Sequence, residues 1–170
     1  MNLDDVRAAR DLLSGVTEVT PLAHSRWLAE IAGAPIHLKC ENLQRAGSFK
    51  VRGAYVRIAR LSEAERARGV VAASAGNHAQ GVALAARQLG AAATIFMPEG
   101  AALPKVQATL GYGADVRFAG RDVTAALEAA EAFSEETGAV FIHPFDHPDI
   151  LAGQGTVGLE ILEQQPDVRT

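Results

Sequence analysis

The sequence is short of cysteine, of aromatic rings and of long apolar runs. Cys40 is the one cysteine in 170 residues, so no disulfide can close within the chain. Aromatics make up 5% of the residues, too few for a surface that stacks nucleic-acid bases. Positive charge is not in excess: 16 Lys and Arg stand against 20 Asp and Glu, a net charge of −4. That removes the electrostatic footprint of a nucleic-acid or anionic-membrane binder. No apolar run reaches the length needed to span a bilayer. Met1-Asn2-Leu3-Asp4-Asp5 is acidic and lacks the basic-then-apolar layout of a secretory leader. These absences lead us to expect a reducing, cytoplasmic setting, with no nucleic-acid and no membrane partner.

What is present is an ordinary globular composition, 48% hydrophobic and 21% charged, rich in Ala. Leu3–Leu13 reads as a helix with Val6, Ala9, Leu12 and Leu13 on one face, ending before Thr20-Pro21-Leu22. Ser25–Ala32 reads as a second helix stopped by Gly33, and Ile36–Cys40 alternates as a strand. Val51–Leu61 is a helix, and Ser62 with Glu65 forms a capping box that starts another. Apolar runs follow at Val70–Ala73, Ala93–Met97, Ala114–Phe118 and Ala139–His143. Helical stretches Ala79–Leu89, Pro104–Leu110 and Asp122–Glu136 separate them. Gly90, Gly111 and Gly138 stand where glycines terminate helices. A last helix spans about Ile150–Gln165. The alternation predicts an α/β fold, a parallel open sheet with flanking helices.

Two segments carry chemistry. In Ser48-Phe49-Lys50-Val51-Arg52-Gly53-Ala54 a lysine stands at the mouth of a helix, where the macrodipole disfavours its protonated form. An unprotonated amine is what Schiff-base chemistry needs. Read alone, Lys50 is better explained as a solvated surface residue, and Phe49 equally well as core. In Val70-Val71-Ala72-Ala73-Ser74-Ala75-Gly76-Asn77-His78 a strand runs into a small polar loop that opens a helix. That arrangement grips an anion, a phosphate or a carboxylate, through backbone N–H groups at the carboxyl end of a strand. The plainer alternative is a βα turn with Ser74 or Asn77 as helix cap.

Together the two segments resemble the fold-type II family of pyridoxal-phosphate enzymes, and within it the threonine dehydratases. Leu38–Gln44, Met97-Pro98-Glu99, Pro104-Lys105-Val106 and Ala152–Thr156 extend the resemblance along nearly the whole chain. It implies a tryptophan synthase β-like architecture and pyridoxal 5′-phosphate bound as a Schiff base on Lys50. Phe49 would pack on the cofactor ring and Asn77 would hydrogen-bond its phenolic oxygen. Ser74, Ala75, Gly76 and His78 would cradle the substrate carboxylate, mostly through backbone N–H groups, whereas Arg52 and Gly53 would be structural. The implied reaction is dehydration and deamination of L-threonine, and of L-serine, to 2-oxobutanoate or pyruvate and ammonia. Lys50 would act as general base and the cofactor as electron sink. Serine racemases share these motifs, but carry a second Ser where this chain has Ala75, and Asn where it has Phe145. Both differences favour elimination.

The resemblance also implies more chain than is here. Residues 1–50 would belong to a large cofactor domain, 51–147 would form a small α/β domain, and 148–170 would begin a return into the large domain. The sheet of the large domain would be incomplete at the C-terminus. A glycine-rich phosphate loop, a residue facing the pyridine nitrogen and any cation site would lie past Thr170. The chain is then a fragment of a working homo-oligomeric enzyme of isoleucine biosynthesis or threonine catabolism, a short protein completed by association, or a non-catalytic module. Three further features are expected to be structural. Gly153-Gln154-Gly155-Thr156-Val157-Gly158 follows a turn-rich stretch rather than a strand, so helix packing suits it better than a dinucleotide. His143, Asp146 and His147 are interrupted by prolines and read as turn residues, so no metal site is expected. Cys40 reads as a small buried residue on its strand.

Overall fold

Val70–Ala73 form a strand in which every residue is buried, and the fold is organised around it. The computed structural model describes residues 1–169. The architecture is α/β, with helices on both faces of a parallel sheet. The N-terminal part comprises α1 (Leu3–Leu12), β1 (Leu22–His24), α2 (Arg26–Ala32), β2 (His37–Lys39) and a 3-10 turn over Glu41–Leu43. Then come α3 (Lys50–Ala59), α4 (Glu63–Ala67), β3 (Val70–Ala73), α5 (Asn77–Gln88), β4 (Ala93–Met97) and α6 (Leu103–Gly111). β5 (Asp115–Phe118), α7 (Val123–Thr137), β6 (Val140–Phe141) and α8 (Pro148–Gln164) complete the chain. β1 and β2 pair antiparallel, while the main sheet runs β5-β4-β3-β6, parallel throughout.

The central position of β3 explains its unbroken apolar run, since both of its faces need cover. Val70 and Ala72 pack with Ile58, Val82, Ala86, Ile95 and Met97 on the side of α3 and α5. Val71 and Ala73 pack with Phe96, Ala126 and Ala130 on the side of α7. A smaller cluster of Ala9, Leu13, Val56 and Ala152 joins α1, α3 and α8.

Most predicted elements lie within a residue or two of their observed bounds, and the Ser62–Glu65 capping box forms as read. Four expectations need correction. The strand β1 has no signal of its own in the sequence, because it exists only by pairing with β2, in the register of Leu22 with Lys39. The last run forms a two-residue strand rather than five: Ile142 N–H still reaches Val71 O at 2.8 Å, but Pro144 has no N–H with which to continue. Gly111 ends α6 from inside, and Gly113, at φ +90°, takes the left-handed turn instead. Cys40 lies past the end of β2 and is only half-buried.

The G-x-G-x-x-G segment is wholly helical, inside α8. Gly153 is where α8 crosses α3: a Cβ there would stand 2.7 Å from both Arg52 O and Gly53 Cα. Gly53 answers from the other side, its own Cβ falling 2.9 Å from Ile150 O.

The same crossing holds a buried ionic cluster. Arg52, 1% exposed, donates from Nε and Nη2 to Glu41 (2.8 and 2.9 Å) and from Nη1 and Nη2 to Glu160 (2.6 and 3.0 Å). Nη1 also reaches Thr156 Oγ1 at 3.2 Å. Lys39 Nζ pairs with Glu160 at 2.6 Å and donates to Thr20 O and Gln164 Oε1. Two cations thus face two carboxylates. Burial works to raise the Glu41 carboxyl, but the hydrogen bonds from Arg52 and Thr20 and the charges of Arg52 and Lys39 outweigh it and hold it below the usual range. The cluster ties β2, the 3-10 turn, α3 and α8 into one unit.

These packing features set the outcomes expected in urea unfolding. Gly153→Ala should destabilise by about 1–3 kcal/mol through forced separation of α3 and α8. Gly158→Ala, whose Cβ meets nothing within 4 Å, should instead be neutral or gain up to about 1 kcal/mol. Arg52→Met should cost about 3–5 kcal/mol by stranding buried carboxylates, and adding Glu160→Met should recover part of that loss.

Candidate active site

The order β5-β4-β3-β6 means that the chain leaves β3 toward β4 on one side and later returns to its other side as β6. The carboxyl ends of β3 and β6 therefore flank the switch point of the sheet, the place where open α/β sheets bind ligands. Three segments meet there: the start of α3, the loop Ser74–Gly76 after β3, and the turn His143–His147 after β6.

Lys50 is the first residue of α3. Its Nζ donates across to Pro144 O at 2.8 Å and lies 5.3 Å from the centre of the Phe49 ring. Burial pushes its proton affinity below that of an ordinary lysine. Gly81 brings α5 against this turn: a Cβ there would stand 2.9 Å from Lys50 C and 3.0 Å from Val51 N. Phe49 is 41% exposed, and its ring borders a cavity of about 370 Å³ lined also by Lys39, Glu41, Gln154 and Val157, but not by Lys50.

The loop after β3 is half-buried. Ser74 Oγ accepts from Gly76 N–H at 3.1 Å, which curls the loop. Neither Ser74 nor Asn77 caps α5: the cap residue is Gly76, with no side-chain bond. The sequence alternative of a plain side-chain cap is therefore not what forms. A Cβ at Gly76 would meet nothing within 4 Å, so the loop backbone faces open space. Asn77 is exposed, and its Oδ1 accepts from Lys105 Nζ of α6 at 2.9 Å, leaving the Nδ2 hydrogens to donate. α1, α2, α4, α7 and α8 all carry side-chain caps, whereas α3, α5 and α6 do not. The helices whose cap residue makes no side-chain bond are those that supply Lys50, Asn77 and Lys105, although at α3 the Lys50 N–H reaches Ser48 Oγ at 3.4 Å.

His78 departs from its neighbours. Its side chain is buried, turns away from the loop and meets Ile142 O through Nε2 at 2.8 Å. Burial, the dominant cause, pushes the imidazole down to about 4; the Ile142 carbonyl opposes this, and Lys50 and His143 add to it. Nε2 accordingly carries the proton and donates. Only the backbone of His78 remains for a ligand. Ala75 and Gly76 likewise offer backbone alone.

The turn after β6 is held by two histidines. His143 Nδ1 accepts from the N–H groups of Phe145 (3.2 Å) and Asp146 (2.7 Å), and His147 Nδ1 accepts from Asp149 N–H at 3.1 Å, capping α8. Among the described residues no group of three or more His, Cys, Asp or Glu is gathered to hold a metal ion, and no helix is long and apolar enough to cross a membrane. Sequence reasoning missed the Pro144 carbonyl, since a backbone acceptor leaves no sequence signal. It noted Lys105 only as part of a resemblance.

Residues 13–170 match the family described as pyridoxal-phosphate dependent enzyme. An L-threonine ammonia-lyase of Thermotoga maritima is 56% identical over 168 residues, 99% of this chain and 42% of that protein. The structure of the processed form of threonine deaminase isoform 2 from Solanum lycopersicum superposes with a TM-score of 0.88 at 38% identity, over 99% of this chain and 50% of that one. The structure of maize serine racemase superposes with a TM-score of 0.94 at 37% identity, over 98% and 51%. The chain thus spans about two fifths to one half of the length of the relatives it matches.

The His78 environment has a measurable acid signature. In the unfolded chain its imidazole gains a proton below about pH 6.5, whereas the folded one refuses it until about pH 4. Stability from this group is complete above pH 6.5 and is lost as the pH falls toward 4. Urea unfolding should show a loss of about 2 kcal/mol between pH 7.5 and pH 5. His78→Gln should flatten that dependence.

Proposed function

Because the chain belongs to the pyridoxal-phosphate dependent enzyme family, we propose that it is the lysine-bearing part of a lyase that converts L-threonine to 2-oxobutanoate and ammonia. L-serine, giving pyruvate, would be a second substrate. The observation that carries the reading is Lys50: a half-buried amine, lowered in proton affinity, at the switch point beside an uncapped helix and an open glycine loop.

The residues fit the cofactor. Lys50 would hold it covalently, the exposed Phe49 ring would cover its pyridine, and the Asn77 Nδ2 donors would meet its phenolic oxygen. When bound, pyridoxal phosphate supplies an electron sink for the negative charge that develops at the α-carbon. The backbone N–H groups of Ser74, Ala75, Gly76 and His78 would hold the substrate carboxylate, and so fix the Cα–H bond toward Lys50. Freed when the substrate amine takes its place on the cofactor, the Lys50 amine would take the α-proton as general base, which its lowered proton affinity favours. The α-proton and the β-hydroxyl leave as water. The released enamine then takes up water, giving the keto acid and ammonia, so that threonine is balanced by 2-oxobutanoate and ammonia.

Likeness to a racemase is as close in shape as likeness to a deaminase, and Ala75 argues between them. Proton exchange on both faces of a substrate needs an acid–base group on each. Ala75 offers none, which supports elimination. Domain roles follow the same reading: 51–147 as the small α/β domain, and 1–50 with 148–170 as contributions to a larger one. Action in the cytoplasm as a homo-oligomer, in isoleucine biosynthesis or threonine catabolism, completes the proposal.

The test is to add pyridoxal phosphate, reduce with borohydride and map the modified lysine by mass spectrometry. Label confined to Lys50, with turnover of threonine falling about 100- to 10,000-fold in Lys50→Ala, is the expected result. Label spread evenly over Lys39, Lys50 and Lys105 would overturn it.

A further inference from the structure

The sequence reads His143 as a turn residue, and it is one; what that reading leaves out is which peptide it holds. Its Nδ1 accepts from the N–H of Phe145 at 3.2 Å. That N–H belongs to the same peptide unit as the Pro144 carbonyl, which accepts from Lys50 Nζ at 2.8 Å. The N–H and C=O of a trans peptide lie in one rigid plane and point in opposite directions from its two edges. His143 therefore grips one edge of this plane, and Lys50 the other. A second bond, from Asp146 N–H at 2.7 Å, fixes the ring nitrogen over the turn. The ring itself is held edge-on by Phe145, with centroids 4.7 Å apart, and by Phe141 at 6.2 Å.

We propose that His143 is a positioning residue for Lys50: by accepting at Nδ1 it locks the Pro144–Phe145 peptide in the orientation whose carbonyl docks the free lysine amine. The inference rests on Lys50 as the reactive amine of the proposed function. A bond at one end of a peptide polarises the unit and strengthens the bond at the other. An acceptor at Nδ1 also requires the neutral ring with its proton on Nε2. With the plane locked, the amine is kept in its half-buried position at the start of α3, where burial lowers its proton affinity. With the plane free to rotate, the carbonyl is lost to Lys50 and the flexible side chain swings to solvent. An ordinary turn cap would stabilise the turn and leave Lys50 unchanged.

The test uses the cofactor-free full chain and reads the pH profile of Lys50 acetylation by acetic anhydride, residue by residue. In His143→Ala the midpoint for Lys50 should rise, with a severalfold fall in its acetylation at neutral pH relative to the unsubstituted chain. His143→Asn, whose Oδ1 can accept from the same N–H groups, should restore the original midpoint. An unchanged midpoint in His143→Ala would overturn the inference. A measurement on the unsubstituted chain guards against a misfolded variant: the imidazole ¹⁵N shifts of His143 should report a proton on Nε2 and none on Nδ1, and a protonated Nδ1 would equally overturn it. Failure of pyridoxal phosphate to label Lys50 would sink the functional reading alone, since neither acetylation nor the ring shifts depend on the cofactor.

Discussion

Two carboxylates and two cations occupy the space between β2, α3 and α8, and each is tolerable there only because the others are present. A carboxylate taken alone from water into such a place costs several kcal/mol. Glu41 and Glu160 escape that cost because the Arg52 guanidinium presents its flat fork to both. The consequence reaches past the four side chains. Arg52 is two residues along α3 from Lys50, so whatever fixes the guanidinium also fixes the rotation of the first helical turn. The 3-10 turn and the last helix are each attached to that turn by one carboxylate, and the β1–β2 pair is attached in turn through Lys39 to Glu160 of the last helix. The cluster thus acts as the mount on which Lys50 is carried.

The site is assembled mainly from main-chain groups. Gly76 offers an open backbone, the His78 ring is spent inward, and Lys50 rests on a carbonyl. Side chains such as Ser74 and His143 shape the backbone that is then presented. Helices elsewhere in the molecule finish their N-termini with Asn2, Ser25, Ser62, Asp122 and His147. At the switch point α5 alone begins with no side chain on its first N–H groups, and that is the physical content of a place ready for an anion.

These features differ in how far the sequence discloses them. The parallel sheet is readable because β3 and β4 are short apolar runs between helical periodicities, and because Ser62 and Glu65 spell a cap in local code. Lys50 at a helix start and the polar loop at 74–77 are readable for the same reason, being adjacent in the chain. What cannot be read depends on distance along the chain. β1 exists by pairing with a strand on the far side of α2, Arg52 meets Glu160 from 108 positions away, and Pro144 offers Lys50 a carbonyl from 94 positions away. The helix-ending role of Gly113 over Gly111 is hidden because either spacing satisfies the pattern. The extra turn is decided by Tyr112 N–H still reaching Ala108 O.

The Gly53–Gly153 crossing has a bearing on how such a chain can change over generations. Gly153 meets only backbone, and Gly53 meets backbone first, at Ile150 O, with the Gln154 side chain next at 3.1 Å. Enlarging either one first is penalised, and enlarging the second afterwards adds to the injury rather than relieving it. A step away from the pair is thus penalised at whichever position it starts, whereas Gly158 nearby has room for a side chain. The two positions behave as a ratchet: once helices have come this close, the lineage keeps both glycines, and with them the spacing that sets Arg52 against Glu160.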